Sequence, residues 1–348
     1  MCARAEDTVV IRNVYYMMAY AFKALDIAEY RWIQTESFDN LLDLLAAILS
    51  SGLAMQRRRG FEKDYEAREE NNQRVIGRID IRKTASLKMR RRLEAHCIFD
   101  ERTENTYKNR ILKSTAWYLI RSSEVSLKRK QSLKKSLLAM QDVDALEPAH
   151  IEWSSLRYHR NNRSYQLLMN VCYMVLHDLL LRDQHGNAKL ATVVDKQALS
   201  RLCEKFILEY YRKHHTKLNA SAHEISHDTK GSEPSFLPKM ITDVTLTHGQ
   251  HRLIIDAKCY GTILGEHYGK EILSPANINQ ILSYVLHGAV EFDGKVSGML
   301  LYAKTKDVPP LHEKWNDLDH DFYCVTLDLD NEFEQIAKQL DDIAKLIL

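Results

Sequence analysis

The sequence predicts a two-domain protein of the α+β or α/β class: a mixed N-terminal domain, then a C-terminal domain with a central mixed sheet flanked by helices. Three observations predict it. The 348 residues exceed what one core comfortably buries. The first half reads as amphipathic helices broken by a short strand, whereas the part after Ser235 reads as two strands, a helix, two strands and a last helix. Pro148 and the polar run to Arg163 lie between them, which divides the chain into residues 1–155 and 156–348.

Each element has its own reason. Val9 to Leu25 is apolar on most faces and predicts a buried helix. Phe38 to Leu53 carries Leu41, Leu42, Leu45, Ile48 and Leu49 at helical spacing. A basic stretch, Gln56 to Gly60, follows. Asp64 to Ile81 is polar and ends in Gly77-Arg78-Ile79-Asp80-Ile81, which alternates like a strand. Asn105 to Arg121 and the Lys/Arg-rich Ser126 to Met140 predict two more helices. Tyr165 to Arg182 and Lys196 to His215 predict two further ones, and Gly231-Ser232-Glu233-Pro234 marks a loop. Met240 to Thr247 and His251 to Ala257 are rich in strand formers, and Ser274-Pro275 has the pattern of an N-cap and first helical residue for a helix over Ala276 to Val290.

Composition bounds the function. A hydrophobic fraction of 45% and a charged fraction of 28% belong to an ordinary globular chain. No apolar run approaches the ~18 residues of a membrane span, and the first ten residues lack a signal core, so a cytoplasmic location is expected, with no membrane partner. Six cysteines form no C-x-x-C pair, which argues for free thiols over a zinc ribbon. Residues 1–150 hold 27 Lys and Arg against 21 Asp and Glu, and the remainder holds 22 against 26. An acidic second half is a poor unaided grip on nucleic acid, although a local basic groove can hide within it.

The chemistry concentrates between Leu237 and Tyr260. Gly249-Gln250 suits the two central positions of a type II′ hairpin turn. That turn pairs His248 with His251 and so sets Asp243 opposite Asp256 on one face, with Cβ atoms roughly 5 Å apart. Lys258, two positions on, shares the face. Two carboxylates this close repel unless a cation sits between them, and a hard ion held by oxygen, Mg²⁺, is the cofactor the pattern predicts. With Lys258 to orient a water, the set suits phosphodiester hydrolysis. A surface ion-pair ladder is the bland alternative; Asp is disfavoured inside strands, yet occurs here on both at facing positions. On the following helix, Gln280 and Tyr284 are four apart and share a face.

His223-Glu224-Ile225-Ser226-His227 matches the H-E-x-x-H pattern of zinc peptidases. It lies in a polar stretch with weak helix support, and a strand fits as well, so the match is read as chance. No phosphate-binding G-x-x-x-x-G-K-[ST] loop and no G-x-S-x-G elbow occurs.

The D-x(12)-D-A-K pattern resembles the PD-(D/E)xK nuclease motif, and a Q-x-x-x-Y helix after it is similar to the fourth motif of RecB-like nucleases, where the two side chains line the DNA side. That resemblance implies Asp243, Asp256, Lys258 and Gln280 as catalytic residues, Tyr284 as support on the DNA side, and Glu204 on the preceding helix as a further metal residue. Over nearly the whole chain the sequence resembles the McrC family, nuclease subunits of modified-cytosine restriction systems. The likeness runs through Ile11 to Met17, Arg58-Arg59-Gly60 with Asp64-Tyr65, Gly77-Arg78-Ile79, Phe99-Asp100, Asn105, Asn109 and Ile111 to Lys113, and then Thr242-Asp243 and Asp256-Ala257-Lys258. Cys259 departs from the aromatic residue often found there. The resemblance implies a type IV restriction endonuclease subunit working with a McrB-like AAA+ ring. The ring binds GTP and reads modified cytosine in double-stranded DNA, the N-terminal domain docks on the ring and stimulates it, and the C-terminal domain cuts. The competing readings are a stand-alone repair or recombination nuclease of the same superfamily, and a non-catalytic adaptor of a ring NTPase.

Overall fold

The computed structural model describes residues 2–23, 25, 27–36, 38, 40–159, 162, 164–185, 196–227, 236–258, 264–267, 270–304 and 310–348. In chain order the helices are α1 (Cys2–Ala21), α2 (Leu41–Arg59), α3 (Ile81–Met89), α4 (Tyr107–Arg121), α5 (Leu127–Leu137), α6 (Ser164–His185), α7 (Lys196–His214), α8 (Pro275–Glu291) and α9 (Phe333–Ala344). The strands are β1 (Asp64–Asn72), β2 (Arg78–Ile79), β3 (Ala95–Thr103), β4 (Glu224–Ile225), β5 (Met240–Ile241), β6 (Val244–His248), β7 (His251–Lys258), β8 (Leu264–His267), β9 (Lys270–Leu273), β10 (Lys295–Lys304), β11 (His312–Asp317) and β12 (His320–Asp328). This is a mixed α/β protein, as the sequence predicts.

Two compact units form, one from Met1–Leu44 with His177–Leu348, the other from Leu45–Leu176. The division expected at 155/156 differs from this at both ends. The reason lies in α1, whose second half is bonded into the C-terminal unit. Asn13 is buried and its amide donates to Leu329 O and Asn331 O, each at 2.8 Å. Tyr20 stacks on Phe333 and meets Phe206 edge-on, with centroids 5.5 Å away in both cases. The buried Tyr211 hydroxyl donates to Leu340 O at 3.0 Å, so α7 and α9 share this core.

In the Leu45–Leu176 unit, β1, β3 and β2 form an antiparallel sheet in that order. The sequence shows only β2, because β1 is almost wholly exposed and has no apolar alternation to reveal it. Helix α3 is capped by Asp80, whose side chain accepts from Lys83 N. The basic stretch Arg57 to Arg59 is the last turn of α2, where cations suit the helix dipole. Asn109 organises the base of α4: its Nδ2 donates to Glu62 O at 2.9 Å and Glu104 O at 2.7 Å, and its Oδ1 accepts from Tyr165 Oη at 2.8 Å. Asn109 is fully buried, so leaving any of these groups unmatched costs about 1–3 kcal/mol.

In the other unit a five-stranded mixed sheet runs β11-β12-β10-β7-β6. β7 pairs antiparallel with β6 and parallel with β10; β10 pairs parallel with β12, which carries antiparallel β11 at the edge. α8 covers one face, and Ile254, Ile281, Val285, Leu300 and Phe322 form the core between them. Gly298 makes the close approach possible, since a Cβ there would meet Phe322 Cδ1 and Val285 Cγ2 at 2.8 Å. Leu253, Ile255 and Ala257 are buried on the opposite face, so β7 is enclosed on both sides.

Cys97, Cys172 and Cys324 are buried free thiols, and Cys203 is in a disulfide, unlike the all-thiol expectation. The expected loop at Gly231 to Pro234 and the Cys259 departure lie outside the described residues. Among the described residues no helix is long and apolar enough to cross a membrane.

Candidate active site

The β6–β7 hairpin sets the geometry. Gly249 has φ +56° and Gln250 is absent from the positive-φ residues, as a II′ turn requires. His248 faces His251 and Val244 faces Ile255, which is the register the turn dictates. β6 begins one residue after Asp243, at a bend, and the expected single strand over Met240 to Thr247 is broken there into β5 and β6. The break turns the Asp243 side chain onto the neighbouring strand, where its Oδ2 accepts from Ala257 N at 2.8 Å.

Asp256 is almost wholly buried. Lys258 Nζ donates to its Oδ1 at 3.0 Å and lies 2.9 Å from its Oδ2. That Oδ2 nevertheless has no hydrogen-bond partner. The ammonium sits close enough to offset charge but out of line to satisfy the second oxygen. A buried carboxylate oxygen without a hydrogen bond is costly, and a metal cation beside the ammonium is a partner that relieves it further.

The ammonium also donates to Gln280 Oε1 at 3.1 Å. This fixes the amide, because Lys offers only donors and the oxygen must face it. Gln280 Nε2 then donates to Tyr284 Oη at 3.0 Å, and Tyr284 donates to Ile241 O at 3.2 Å. The relay leaves β7, crosses about one turn of α8 and returns to the backbone two residues before Asp243. Gln280 and Tyr284 therefore position Lys258 and the entry to β6. α8 itself starts as the sequence predicts, with Pro275 at its first turn, although the Ser274 side chain makes no capping bond.

Glu204 projects from α7 toward the same place. Its Oε1 accepts from Ser200 Oγ at 3.1 Å, and it feels the charges of Lys258 and Asp256. Burial pushes the Glu204 and Asp256 carboxyls above the usual range. Burial, followed by the Asp256 and Glu204 charges, pushes Asp243 up to about 7. Three carboxylates thus share a field that disfavours their ionisation. Among the described residues no group of three His, Cys, Asp or Glu is close enough to hold a metal by itself, so Glu204 does not complete a three-carboxylate cage. Mg²⁺ needs none: it retains several waters and is held by one or two carboxylates. The pair Asp243 and Asp256, one with a buried oxygen that makes no hydrogen bond, fits that requirement.

Two neighbours escaped the sequence reading. Tyr302 on β10 stands opposite Lys258 in the parallel register, and its hydroxyl accepts from Asn277 Nδ2 at 2.9 Å. Asn277 lies three residues before Gln280 on α8, which was a visible signal; the pairing of β10 with β7 was not.

His223 to His227 is not a zinc helix. Glu224 and Ile225 form β4, paired with β5. In an extended chain the two histidines stand about 13 Å apart. His223 Nε2 lies 3.2 Å from Glu291 Oε2, and His227 Nε2 lies 2.9 Å from Pro238 O.

The family described as McrBC 5-methylcytosine restriction system component matches residues 3–303. An Escherichia coli (strain K12) protein, described as type IV methyl-directed restriction enzyme EcoKMcrBC, is 27% identical over 342 residues, covering 97% of this chain and 98% of its own. A solved structure of Thermococcus gammatolerans McrB AAA+ hexamers with bound McrC contains a chain that superposes with a TM-score of 0.57 at 14% identity, over 97% of this chain and 76% of that one.

Proposed function

Because the chain belongs to the family of McrBC 5-methylcytosine restriction system components, we propose that it is the DNA-cutting subunit of such a system, a Mg²⁺-dependent endonuclease of PD-(D/E)xK type. The observation that carries this reading is the buried Asp256 carboxylate, whose Oδ2 makes no hydrogen bond and has the Lys258 ammonium 2.9 Å away, beside Asp243. The E. coli relative, a restriction enzyme by its description, supports the reaction class.

A bound Mg²⁺ would lower the pKa of a coordinated water and offset charge on the scissile phosphate. Asp256 and Asp243 would hold it, with Ala257 N fixing the second carboxylate by its bond to Oδ2. Lys258, steadied by Gln280, orients the attacking water and offsets charge that develops on the phosphodiester. Tyr284 keeps the Gln280 amide turned so that its oxygen meets the ammonium. Glu204 adds negative potential at the rim and accepts a proton there.

The chain carries no phosphate-binding loop, so GTP belongs to a partner. The McrC relative sits on McrB AAA+ hexamers, which supports a McrB-like ring as that partner. The Leu45–Leu176 unit has exposed apolar side chains suited to docking, with Ile81 81%, Met89 82% and Leu93 95% exposed. Docking there would stimulate the ring, which in turn brings the nuclease to modified cytosine in double-stranded DNA.

The test is cleavage of a 5-methylcytosine duplex by the purified chain with and without a McrB-like ring, GTP and Mg²⁺. Cutting is expected only when all three are present. Cutting by the chain and Mg²⁺ alone points to the stand-alone nuclease, and cutting undiminished by chelation contradicts the metal site.

A further inference from the structure

Helix α7 carries a second feature beside Glu204. At about 100° per residue, Arg201, Lys205 and Arg212 fall within some 40° of one another on the helix, about 80° around from Glu204. All three are exposed. Arg201 is near enough to act on the Glu204 charge, so the row begins at the rim of the catalytic site. It ends at a cavity of about 290 Å³ lined by Tyr20, Lys23, Leu25, Glu209, Arg212 and Lys213. Lys23 comes from the segment after α1, with its side chain 74% exposed.

Glu209 is the acid within this cavity lining, and it is paired twice: Lys23 Nζ lies 3.3 Å from its Oε2 and Arg212 Nη1 lies 2.8 Å from its Oε1. With Lys213 the lining stays net positive. Lys205 lies over the Phe22 ring, its Nζ 4.2 Å from the centroid, which holds the long side chain against the surface. Cations in the last turn of a helix also serve its dipole, which accounts for Arg212 and Lys213. The dipole does not account for Arg201 and Lys205, which lie before the last turn, or for Lys23, which comes from another segment. The row stands out further because residues 151–348 are net acidic, with 22 Lys and Arg against 26 Asp and Glu.

We propose that this row, Arg201, Lys205 and Arg212 with Lys23 and Lys213, grips the phosphodiester backbone of DNA as it leaves the catalytic site, with the Tyr20 cavity seating a phosphate at its far end. From Arg201 to Arg212 the helix rises roughly 16 Å, the length of about five base pairs at 3.4 Å each. The inference rests on the nuclease reading and adds the path of the duplex to it. Its chemistry is charge neutralisation without sequence preference, which suits a subunit whose partner reads the base.

The test is binding of the full chain to a plain 20-base-pair duplex over a range of salt, with Asp256→Asn present throughout so that nothing is cut. Substituting Lys23, Lys205 and Lys213 together by Gln is expected to weaken binding at least tenfold at moderate salt. The slope of log K against log salt should fall by about two to three, near 0.9 per lost phosphate contact. The same three positions changed to Arg should keep both, which separates charge from folding. An unchanged affinity and slope in the Gln variant overturns the proposal. So does an unchanged slope with weakened docking to the ring, which would make the row a protein contact. Failure of the nuclease reading is visible elsewhere, as cleavage that survives Asp256→Asn, whatever the salt slope shows.

Discussion

If the chain is the proposed nuclease, replacing Asp256 by Asn is expected to lower DNA cleavage about a thousandfold or more, and to leave docking on the ring and stimulation of its GTP turnover as they were. The size follows from the way such sites act as units: loss of one member forfeits most of what the set achieves together. Asn keeps the shape but cannot offer the second anionic oxygen, which makes no hydrogen bond in the folded chain. Lys258→Met is expected to match it. The aliphatic stem still fits, but Gln280 Oε1 and Asp256 Oδ1 both lose their donor. Thermal melts distinguish this from misfolding. Asp256→Asn should be as stable as the unaltered chain or more so, because a buried charge is gone. Cleavage assays paired with GTPase assays read the outcome, and cutting that persists in both variants contradicts the assignment.

The second large effect is on pH. The Asp243 carboxyl is raised from 3.8 to about 7 in the folded chain, chiefly by burial and then by the Asp256 and Glu204 charges. A raised carboxyl pKa means that the folded state holds its proton more tightly than the unfolded state. Its stabilising contribution is complete below pH ~4 and is lost as pH rises through about 7, up to about 4 kcal/mol in all. Glu204 and Asp256 are raised as well and act in the same direction. Without metal the chain should therefore be less stable at pH 8 than at pH 5.5. Asp243→Asn should flatten much of that slope. Mg²⁺ should restore stability at pH 8 in the unaltered chain but far less in the variant. Denaturation midpoints at the two pH values, with and without Mg²⁺, decide it; equal slopes in the two proteins would show that Asp243 does not carry the effect.

Much of the site's geometry was legible because a two-residue turn fixes register by arithmetic. Once Gly249-Gln250 is read as a II′ turn, Asp243, Asp256 and Lys258 follow. Gln280 and Tyr284 are related by helical spacing alone, and α7 ends within one residue of its periodic pattern. What was hidden depends on distant partners. Tyr302 meets Lys258 only through parallel pairing across an intervening helix, which no local pattern encodes. The bond from Lys258 to Gln280 Oε1 likewise joins a strand to a helix 22 residues further on, which no local pattern encodes. The sequence does not show β1 because an exposed strand such as Asp64–Asn72 has no apolar alternation. The domain boundary was displaced because Asn13 and Tyr20 lie early in the chain, while their partners Leu329 and Phe333 lie near its end.

The account turns on one cation lying between the carboxyls of Asp243 and Asp256. Crystals grown with Mn²⁺ in place of Mg²⁺ address it directly, through anomalous scattering. A single strong peak between those two side chains, lost in Asp256→Asn, is the expected result. A chain that cuts DNA yet has no peak there, or binds its ion at another cluster, contradicts the account.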